Sequence, residues 1–296
     1  MEAEMIEKIL ITGGSGTLGK ELIHKFPKKE IHSTFRNNKS NEENAVFLDI
    51  TNQKQLNEKI NEIKPEIIIH TAAITNLDWC ENNKDETFLT NVSATRFLTE
   101  LAKKNNSKLI FISTDSVFDG KKGDYREDDS QNAVNVYSES KIEAEKIVNE
   151  YSNSLILRGT FVGMKSVGKN ESFFSYLLNQ LKNENKIKVP NDKISNGLSV
   201  NDYSELLVKM YENDLTGTYH IGTIDAKNNF EFAKGLAKEC GYNEELIQEC
   251  AFADIFSEKG LTAKRPLNTT LNVEKISSIM DMPSYSQTIK SIQKQI

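Results

Sequence analysis

Tyr137-Ser138-Glu139-Ser140-Lys141 sets a phenol and an ammonium four positions apart. On a helix, two such side chains share one face about one turn apart. A neighbouring cation favours phenolate over phenol and so lowers the tyrosine pKa. A phenol tuned towards neutral pH can give a proton to a carbonyl oxygen or take one back. In isolation Y-x-x-x-K is common, and an exposed helix face explains it more simply. Here it has company. An apolar stretch ending in Ser113-Thr114-Asp115 precedes it, and a glycine loop opens the chain. The Thr114 hydroxyl is suited to hydrogen-bond the same carbonyl. Thr114, Tyr137 and Lys141 are therefore the candidate catalytic residues.

The loop is Thr12-Gly13-Gly14-Ser15-Gly16-Thr17-Leu18-Gly19, between an apolar triplet and an amphipathic stretch. Gly13 permits a tight turn, Gly16 lets a pyrophosphate approach the backbone, and Gly19 lets helix pack on strand. The helix N-terminus then faces the phosphates. A glycine motif alone also describes an ordinary loop, but its place between a predicted strand and helix points to dinucleotide binding. A cofactor with a free 2'-hydroxyl usually meets an acid about twenty residues further on. This chain offers Arg36-Asn37-Asn38-Lys39 instead. An arginine fork suits a 2'-phosphate, which predicts NADP(H), with NAD(H) the alternative. Asp49, followed by Ile50, either accepts from the adenine amine or caps the next helix. The small residues Thr71, Ala72 and Ala73 would let the cofactor lie across the sheet edge.

The elements that must position these groups alternate in type. Strands are predicted at Ile9 to Ile11, Ile31 to Phe35, Val46 to Leu48, Ile67 to Ile69, Leu109 to Ile112 and Leu155 to Leu157. Helices are predicted at Thr17 to Phe26, Gln53 to Ile63, Asp85 to Lys104 and Tyr137 to Tyr151. Continuous apolar triplets suit strands buried on both faces, and the alternation implies a parallel sheet with right-handed crossovers. The fold class is therefore α/β, a doubly wound parallel sheet of Rossmann type. Such sheets bind ligands beyond the carboxyl ends of their strands, where Thr114, Ala73 and the glycine loop would converge. After Arg158 the rhythm loosens. Helices near Ser172 to Lys182, Val200 to Tyr211 and Asn229 to Cys240 flank short strands at Ile187 to Val189 and Thr218 to Ile221. Residues 1–160 are expected to form the dinucleotide-binding domain. Residues 161–296 would form a smaller C-terminal α/β substrate region, with segments free to interleave. The charged stretch Lys121 to Asp129 reads as a solvated turn.

The 296 residues carry 38% hydrophobic and 27% charged side chains with a net charge of -6. That composition suits a globular protein and argues against a nucleic-acid-binding surface. No apolar run approaches the ~20 residues a membrane span needs. The start, Met1 to Met5, lacks the order of a signal peptide. Cys80, Cys240 and Cys250 lie far apart, which suits a reducing, cytoplasmic setting rather than a disulfide framework. His24, His32, His70 and His220 show no ligand spacing, so no metal is expected. Ser113 and Ser116 lack a nucleophile elbow. Trp79, just past the fourth strand, either lines a sugar pocket or packs in the core.

Four motifs carry a resemblance: T-G-G-S-G-T-L-G, H-T-A-A-I-T from His70, S-T-D-S-V-F-D-G from Ser113 and N-V-Y-S-E-S-K from Asn135. Together with Arg265-Pro266-Leu267-Asn268, they make the chain similar to the extended short-chain dehydrogenase/reductases. The branch it resembles is that of dTDP-4-dehydrorhamnose reductase and its sugar-nucleotide-binding relatives. The resemblance implies an NADP(H)-dependent reductase of a keto group on a nucleotide-activated sugar. In that role Lys141 also holds the nicotinamide ribose, Ser116 and Trp79 lie near the sugar, and a homodimer through surface helices is common. Other members are epimerases and dehydratases, mostly with NAD, and a regulatory beta subunit of methionine adenosyltransferase that binds NADP. This chain departs from the reductase pattern at Ser116, where a Tyr is usual, and at Asp192 to Leu198, in place of D-Q-x-G-x-P-T. It departs again at Val162-Gly163. These positions are substrate-facing and leave the hydride chemistry intact.

Overall fold

The apolar triplets of the sequence become the central strands of a computed structural model that describes residues 7–36, 42, 44–163 and 172–296. Asn37, Asn38 and Lys39, and the acidic start Met1 to Met5, lie outside the described residues. The first elements are β1 (Lys8–Thr12), α1 (Thr17–Ile23), β2 (Glu30–Phe35), β3 (Ala45–Phe47), α2 (Gln53–Ile63) and β4 (Ile67–His70). Next come α3 (Leu77–Asn82), α4 (Lys84–Phe88), a π-helical turn (Leu89–Ser93), α5 (Ala94–Asn105), β5 (Lys108–Ile112), α6 (Val136–Asn149) and β6 (Ser154–Arg158). The later elements are β7 (Phe161–Val162), α7 (Phe173–Lys182), β8 (Ile187–Pro190), β9 (Ile194–Ser195), β10 (Leu198–Ser199), α8 (Val200–Glu212) and β11 (Gly217–His220). After them follow β12 (Lys227–Asn228), α9 (Asn229–Glu239), β13 (Ile247–Cys250), α10 (Phe252–Glu258), α11 (Glu274–Ser277) and α12 (Tyr285–Gln293).

The central sheet has seven strands in the order β11-β6-β5-β4-β1-β2-β3. Parallel register is set by pairs such as Leu10 with Ile68 and Ile69 with Ile110. This is the doubly wound Rossmann-type arrangement that the alternation predicts. The chain divides into two compact units. One comprises Met1–Ser113, Val136–Arg158 and Ser204–Thr218; the other comprises Thr114–Asn135, Gly159–Tyr203 and Tyr219–Ile296.

In the first unit Leu10, Ile68, Leu109, Phe111 and Ile156 project from the sheet into a core shared with α2, α5 and α6. Helix α2 shows why the sequence forms it. Leu56, Ile60 and Ile63 recur on one face and are buried. The Asn52 side chain caps the start by accepting from Gln55 N at 3.1 Å, and left-handed Lys64 (φ 52°) ends it before Pro65, as the ring disfavours helix in the preceding residue. In the second unit α7, β8, α9, β13 and α12 enclose a separate core around Leu177, Val189 and Leu236.

The helix predicted over Asp85 to Lys104 runs without a gap from Lys84 to Asn105, with its middle widened into the π turn Leu89–Ser93. Two expectations are corrected. Asp49 does not cap α2; Asn52 does. The stretch Lys121 to Asp129 is more than a solvated turn. Tyr125 is 5% exposed, stacks on Phe118 with centroids 4.2 Å apart, and gives its hydroxyl to Asp119 at 2.8 Å. That bond holds the Asp119 carboxyl down at about 2.

Candidate active site

The glycines of the first loop are needed for stated reasons. Gly13 has φ 78°, a conformation L side chains rarely adopt, and a Cβ there would lie 2.9 Å from the Ala72 backbone. A Cβ on Gly19 would lie 2.2 Å from the Gly13 carbonyl oxygen, so only glycine lets α1 sit against the loop. Gly16 caps α1 with no side-chain bond to its amides, which leaves that end open to an outside acceptor. Gly19→Ala is expected to cost about 1–3 kcal/mol from overpacking and to weaken dinucleotide binding. Denaturant unfolding and cofactor titration measure the two effects; an unchanged affinity would show that the loop does not cradle the ligand.

Beside this loop lies a cavity of about 210 Å³ lined by Gly13, Ser15, Gly16, Arg36, Asp49, Ile50, Thr71, Ala72 and Ala73. All nine are residues the sequence nominates for the cofactor. The cavity sits at the carboxyl ends of β1, β2 and β4, where open parallel sheets take ligands. Thr34, Leu48, Ile74 and Thr90 also line it and were not foreseen. Thr34 and Leu48 end or follow β2 and β3, so strand-end logic would have found them; Thr90 lies in the π turn, which has no local signature. Thr34 Oγ1 accepts from Gly13 N at 3.1 Å and so pins the loop. Asp49 accepts from Thr51 N at 2.9 Å and from the Thr51 hydroxyl at 2.7 Å. Thr17, Leu18 and Gly19 do not line the cavity: Leu18 and Gly19 face inward, and their contribution is the backbone of the first helical turn. A larger hollow of about 630 Å³ lies among Glu7, Glu66, Lys108, Tyr211 and Asp214. It is at the amino ends of the strands, away from the glycine loop.

A buried hydrogen-bond chain stiffens the floor. The Thr12 hydroxyl meets His70 Nδ1 at 2.7 Å, and His70 Nε2 meets Thr95 Oγ1 at 2.9 Å. Because the Thr95 hydroxyl donates to Asn91 O at 2.7 Å, it accepts from the ring, which assigns the proton to Nε2. Burial above all, and then the Lys141 charge, push the His70 pKa down to about 3, so the ring is neutral. Asn91 accepts from Ile74 N at 2.8 Å and donates to Ile74 O and Ser140 Oγ, both at 3.0 Å. Ser140 in turn donates to Tyr137 O at 2.7 Å. Asn91 thus braces the start of α6 against the loop after β4.

On α6, Tyr137, Lys141 and Glu145 follow one another at four-residue intervals on one face. Tyr137 is half-buried, while Lys141 is 3% exposed. The Lys141 ammonium donates to Ile112 O at 2.7 Å and lies 3.9 Å from the centre of the Phe111 ring. Burial pushes its pKa down to about 7, opposed by the Glu145 charge. Glu145 is itself buried and meets Arg158 through three bonds of 2.8 to 3.2 Å; the Ser113 hydroxyl also donates to it. This buried pair was not foreseen.

Thr114 and Ser116 belong to the second unit, whereas Tyr137, Lys141, Trp79 and the glycine loop belong to the first. Thr114 Oγ1 accepts from Ser116 N at 3.1 Å and makes a long bond of 3.2 Å to Asp115 Oδ1. Trp79 is half-buried on α3 and lines neither cavity. Among the described residues, no group of three His, Cys, Asp or Glu side chains is placed to hold a metal, and no helix is long and apolar enough to cross a membrane.

The donor set fits a phosphate-bearing dinucleotide: an uncapped helix start, a loop with no room for a side chain at Gly13, Gly14 or Gly19, and an exposed Arg36. Comparison with known proteins gives matches along nearly the whole chain. A family profile described as "RmlD substrate binding domain" matches residues 7–296. The chain is 29% identical to a dTDP-4-dehydrorhamnose reductase of Aggregatibacter actinomycetemcomitans, over 96% of this chain and 98% of that one. It is 25% identical to methionine adenosyltransferase 2 subunit beta of Bos taurus, over 92% of this chain and 82% of the other. Among solved structures, the dTDP-4-dehydrorhamnose reductase of Bacillus anthracis in complex with NADP superposes with a TM-score of 0.87. That match has 28% identity and covers 99% of this chain and 100% of the other.

Proposed function

The chain belongs to the RmlD substrate-binding-domain family, and from that premise we propose that it is an NADP(H)-dependent reductase of a keto group on a nucleotide-activated sugar. The reading rests on one observation above all: nine residues nominated for the cofactor line a single cavity at the strand ends. The likeness to an NADP-bound reductase supports it. The epimerase or dehydratase reading and the regulatory-subunit reading are not favoured. Arg36, in place of an acid after β2, counts against the tightly held NAD of the former. The Tyr137–Lys141 pair is machinery that a purely regulatory chain does not need.

Bound NADPH supplies the hydride. Gly13, Ser15, Gly16 and the first turn of α1 would hold its pyrophosphate, Arg36 its 2'-phosphate, and Asp49 its adenine, with Thr71 to Ala73 beneath. In the same proposal the Thr114 hydroxyl donates to the substrate carbonyl; its 3.2 Å bond to Asp115 is long enough to yield readily. Tyr137 gives its phenolic proton to the carbonyl oxygen as that oxygen gains charge. Lys141 makes the phenol more acidic through its own charge and has two further N–H donors for the nicotinamide ribose. Ser116 and Trp79 are assigned to the sugar. A homodimer, with exposed Leu89 at its surface, and a cytoplasmic setting, which suits the three free cysteines, complete the proposal.

The test is oxidation of NADPH by the purified protein with a dTDP-4-keto-6-deoxysugar, followed as loss of absorbance. No turnover with this or any other 4-keto sugar nucleotide, despite cofactor binding, would overturn the reductase reading. In the same assay Arg36→Ala is expected to raise KM for NADPH by about tenfold, the loss of a charge-assisted contact, and to leave KM for NADH within about twofold. Equal loss for both cofactors would remove Arg36 from the 2'-phosphate.

A further inference from the structure

Thr12 closes β1 and His70 closes β4, and the two are partners in the parallel register. Their side chains belong to a file of hydrogen bonds that runs wholly within the first unit. Ala72 N donates to Thr12 Oγ1 at 3.2 Å. Thr12 Oγ1 and His70 Nδ1 are 2.7 Å apart, and His70 Nε2 and Thr95 Oγ1 are 2.9 Å apart. The Thr95 hydroxyl then donates to Asn91 O at 2.7 Å. The ends are backbone groups with fixed roles: an amide can only donate and a carbonyl can only accept. With the ring neutral, every hydrogen between them points one way, from Thr12 to His70 to Thr95 to Asn91. An imidazolium would donate at both nitrogens and leave the Thr12 hydrogen without this acceptor. Bonds aligned head to tail polarise one another. Thr12, His70, Thr95 and Asn91 are each 2% exposed or less, so solvent does not stand in for a missing member.

Both ends of the file meet functional groups. Ala72 lines the cofactor cavity with Gly13, Thr71 and Thr90, and the Thr71 hydroxyl donates to Thr12 O at 2.6 Å. At the other end, Asn91 Nδ2 donates to Ser140 Oγ at 3.0 Å, and Ser140 donates to Tyr137 O at 2.7 Å. His70 spans the middle: one ring nitrogen meets the end of β1 and the other meets α5. A ligand that fixes the glycine loop and Ala72 also fixes Thr12, and through the imidazole it fixes Asn91 and the first turn of α6.

We propose that His70 is a positioning residue that carries the occupied state of the cofactor cavity to α6, so that seating the adenine end of the dinucleotide sets Tyr137 in place. The proposal rests on the reductase reading for its ligand. The probe is adenosine 2',5'-bisphosphate, which lacks the nicotinamide ribose assigned to Lys141. Its affinity is measured by calorimetry, and amide hydrogen exchange over residues 137–145 is followed with and without it. In wild type the bound probe is expected to slow that exchange by at least about fivefold. Thr95→Val takes the hydroxyl out of the file with little change of shape, and His70→Phe takes out both nitrogens. Each is expected to bind the probe within about threefold of wild type and to lose the slowing. Each should also lower kcat by about tenfold, the effect of a misplaced group, while KM for NADPH stays within about threefold. Thr95→Ser keeps the hydroxyl and is expected to match wild type in every respect. Wild type that binds the probe with no change of exchange in α6 overturns the proposal alone. So does slowing that survives in either variant that circular dichroism shows to be folded. A matching loss of probe affinity in both variants would make His70 a support of the cavity only, and overturns it too. Wild type that binds neither the probe nor NADPH overturns the reductase reading together with this one.

Discussion

Tyr137→Phe is expected to lower kcat by about 100- to 10,000-fold, the range set by losing a positioned proton donor, while KM for NADPH stays nearly constant. Only the hydroxyl is removed, and the ring remains to fill its place on α6. The carbonyl oxygen would then gain charge with no proton to receive, although Thr114 remains to hydrogen-bond it. The same logic gives a pH dependence. Burial pushes Lys141 down to about 7, so in the free enzyme the ammonium loses its proton as pH rises through that value. Below it the cation acidifies the phenol; above it the help fades. kcat/KM for wild type is therefore expected to fall as pH rises past about 7, and Lys141→Met to be slow at every pH without that inflection. Steady-state NADPH oxidation between pH 6 and pH 9 reads both results. Turnover of Tyr137→Phe within about twofold of wild type would remove the phenol as proton donor.

Arg158→Met is expected to destabilise the fold by about 3–5 kcal/mol, because it strands the Glu145 charge in the core. Glu145 and Arg158 are 3% and 6% exposed, so water cannot replace the lost partner. The Ser113 hydroxyl still donates to Glu145 but carries no charge. Glu145→Leu in the Arg158→Met background removes the second charge and is expected to recover most of the loss, since well-packed apolar replacements of buried pairs are often neutral. Urea unfolding of the single and double variants measures this directly. A single variant within about 0.5 kcal/mol of wild type, the ordinary range for surface changes, would show that the pair is hydrated in solution. Glu145 also counters the desolvation of Lys141, so the double variant should lower the Lys141 pKa further and shift the pH limb of activity to lower pH.

Much of the nucleotide-binding unit was legible because its signals are local. Ile9 to Ile11 and Ile67 to Ile69 announce buried strands by composition. Lys64-Pro65 ends α2 where the helix pattern stops, and the glycine spacing names its loop. Other features come from tertiary contacts and leave no such trace. The Glu145 and Arg158 charges read as surface residues until the fold brings helix and strand together. Strands β7, β9, β10 and β12 have two residues each, too few to show an alternation. Leu89 to Ser93 contains neither Gly nor Pro, so nothing local marks the π turn.

The widened turn at Leu89–Ser93 sets a rule for length changes in this chain. Each residue advances an α-helix by about 100°, so losing one residue there would restore regular winding but rotate the preceding part of the helix by that angle relative to α5. The core stripe of α5 would survive, yet Asn91 could no longer reach both Ile74 and Ser140. Single-residue deletions across this stretch should therefore be tolerated for folding far better than for activity. Among natural homologues the spacing between His70 and Leu98 should vary less than the loops on either side.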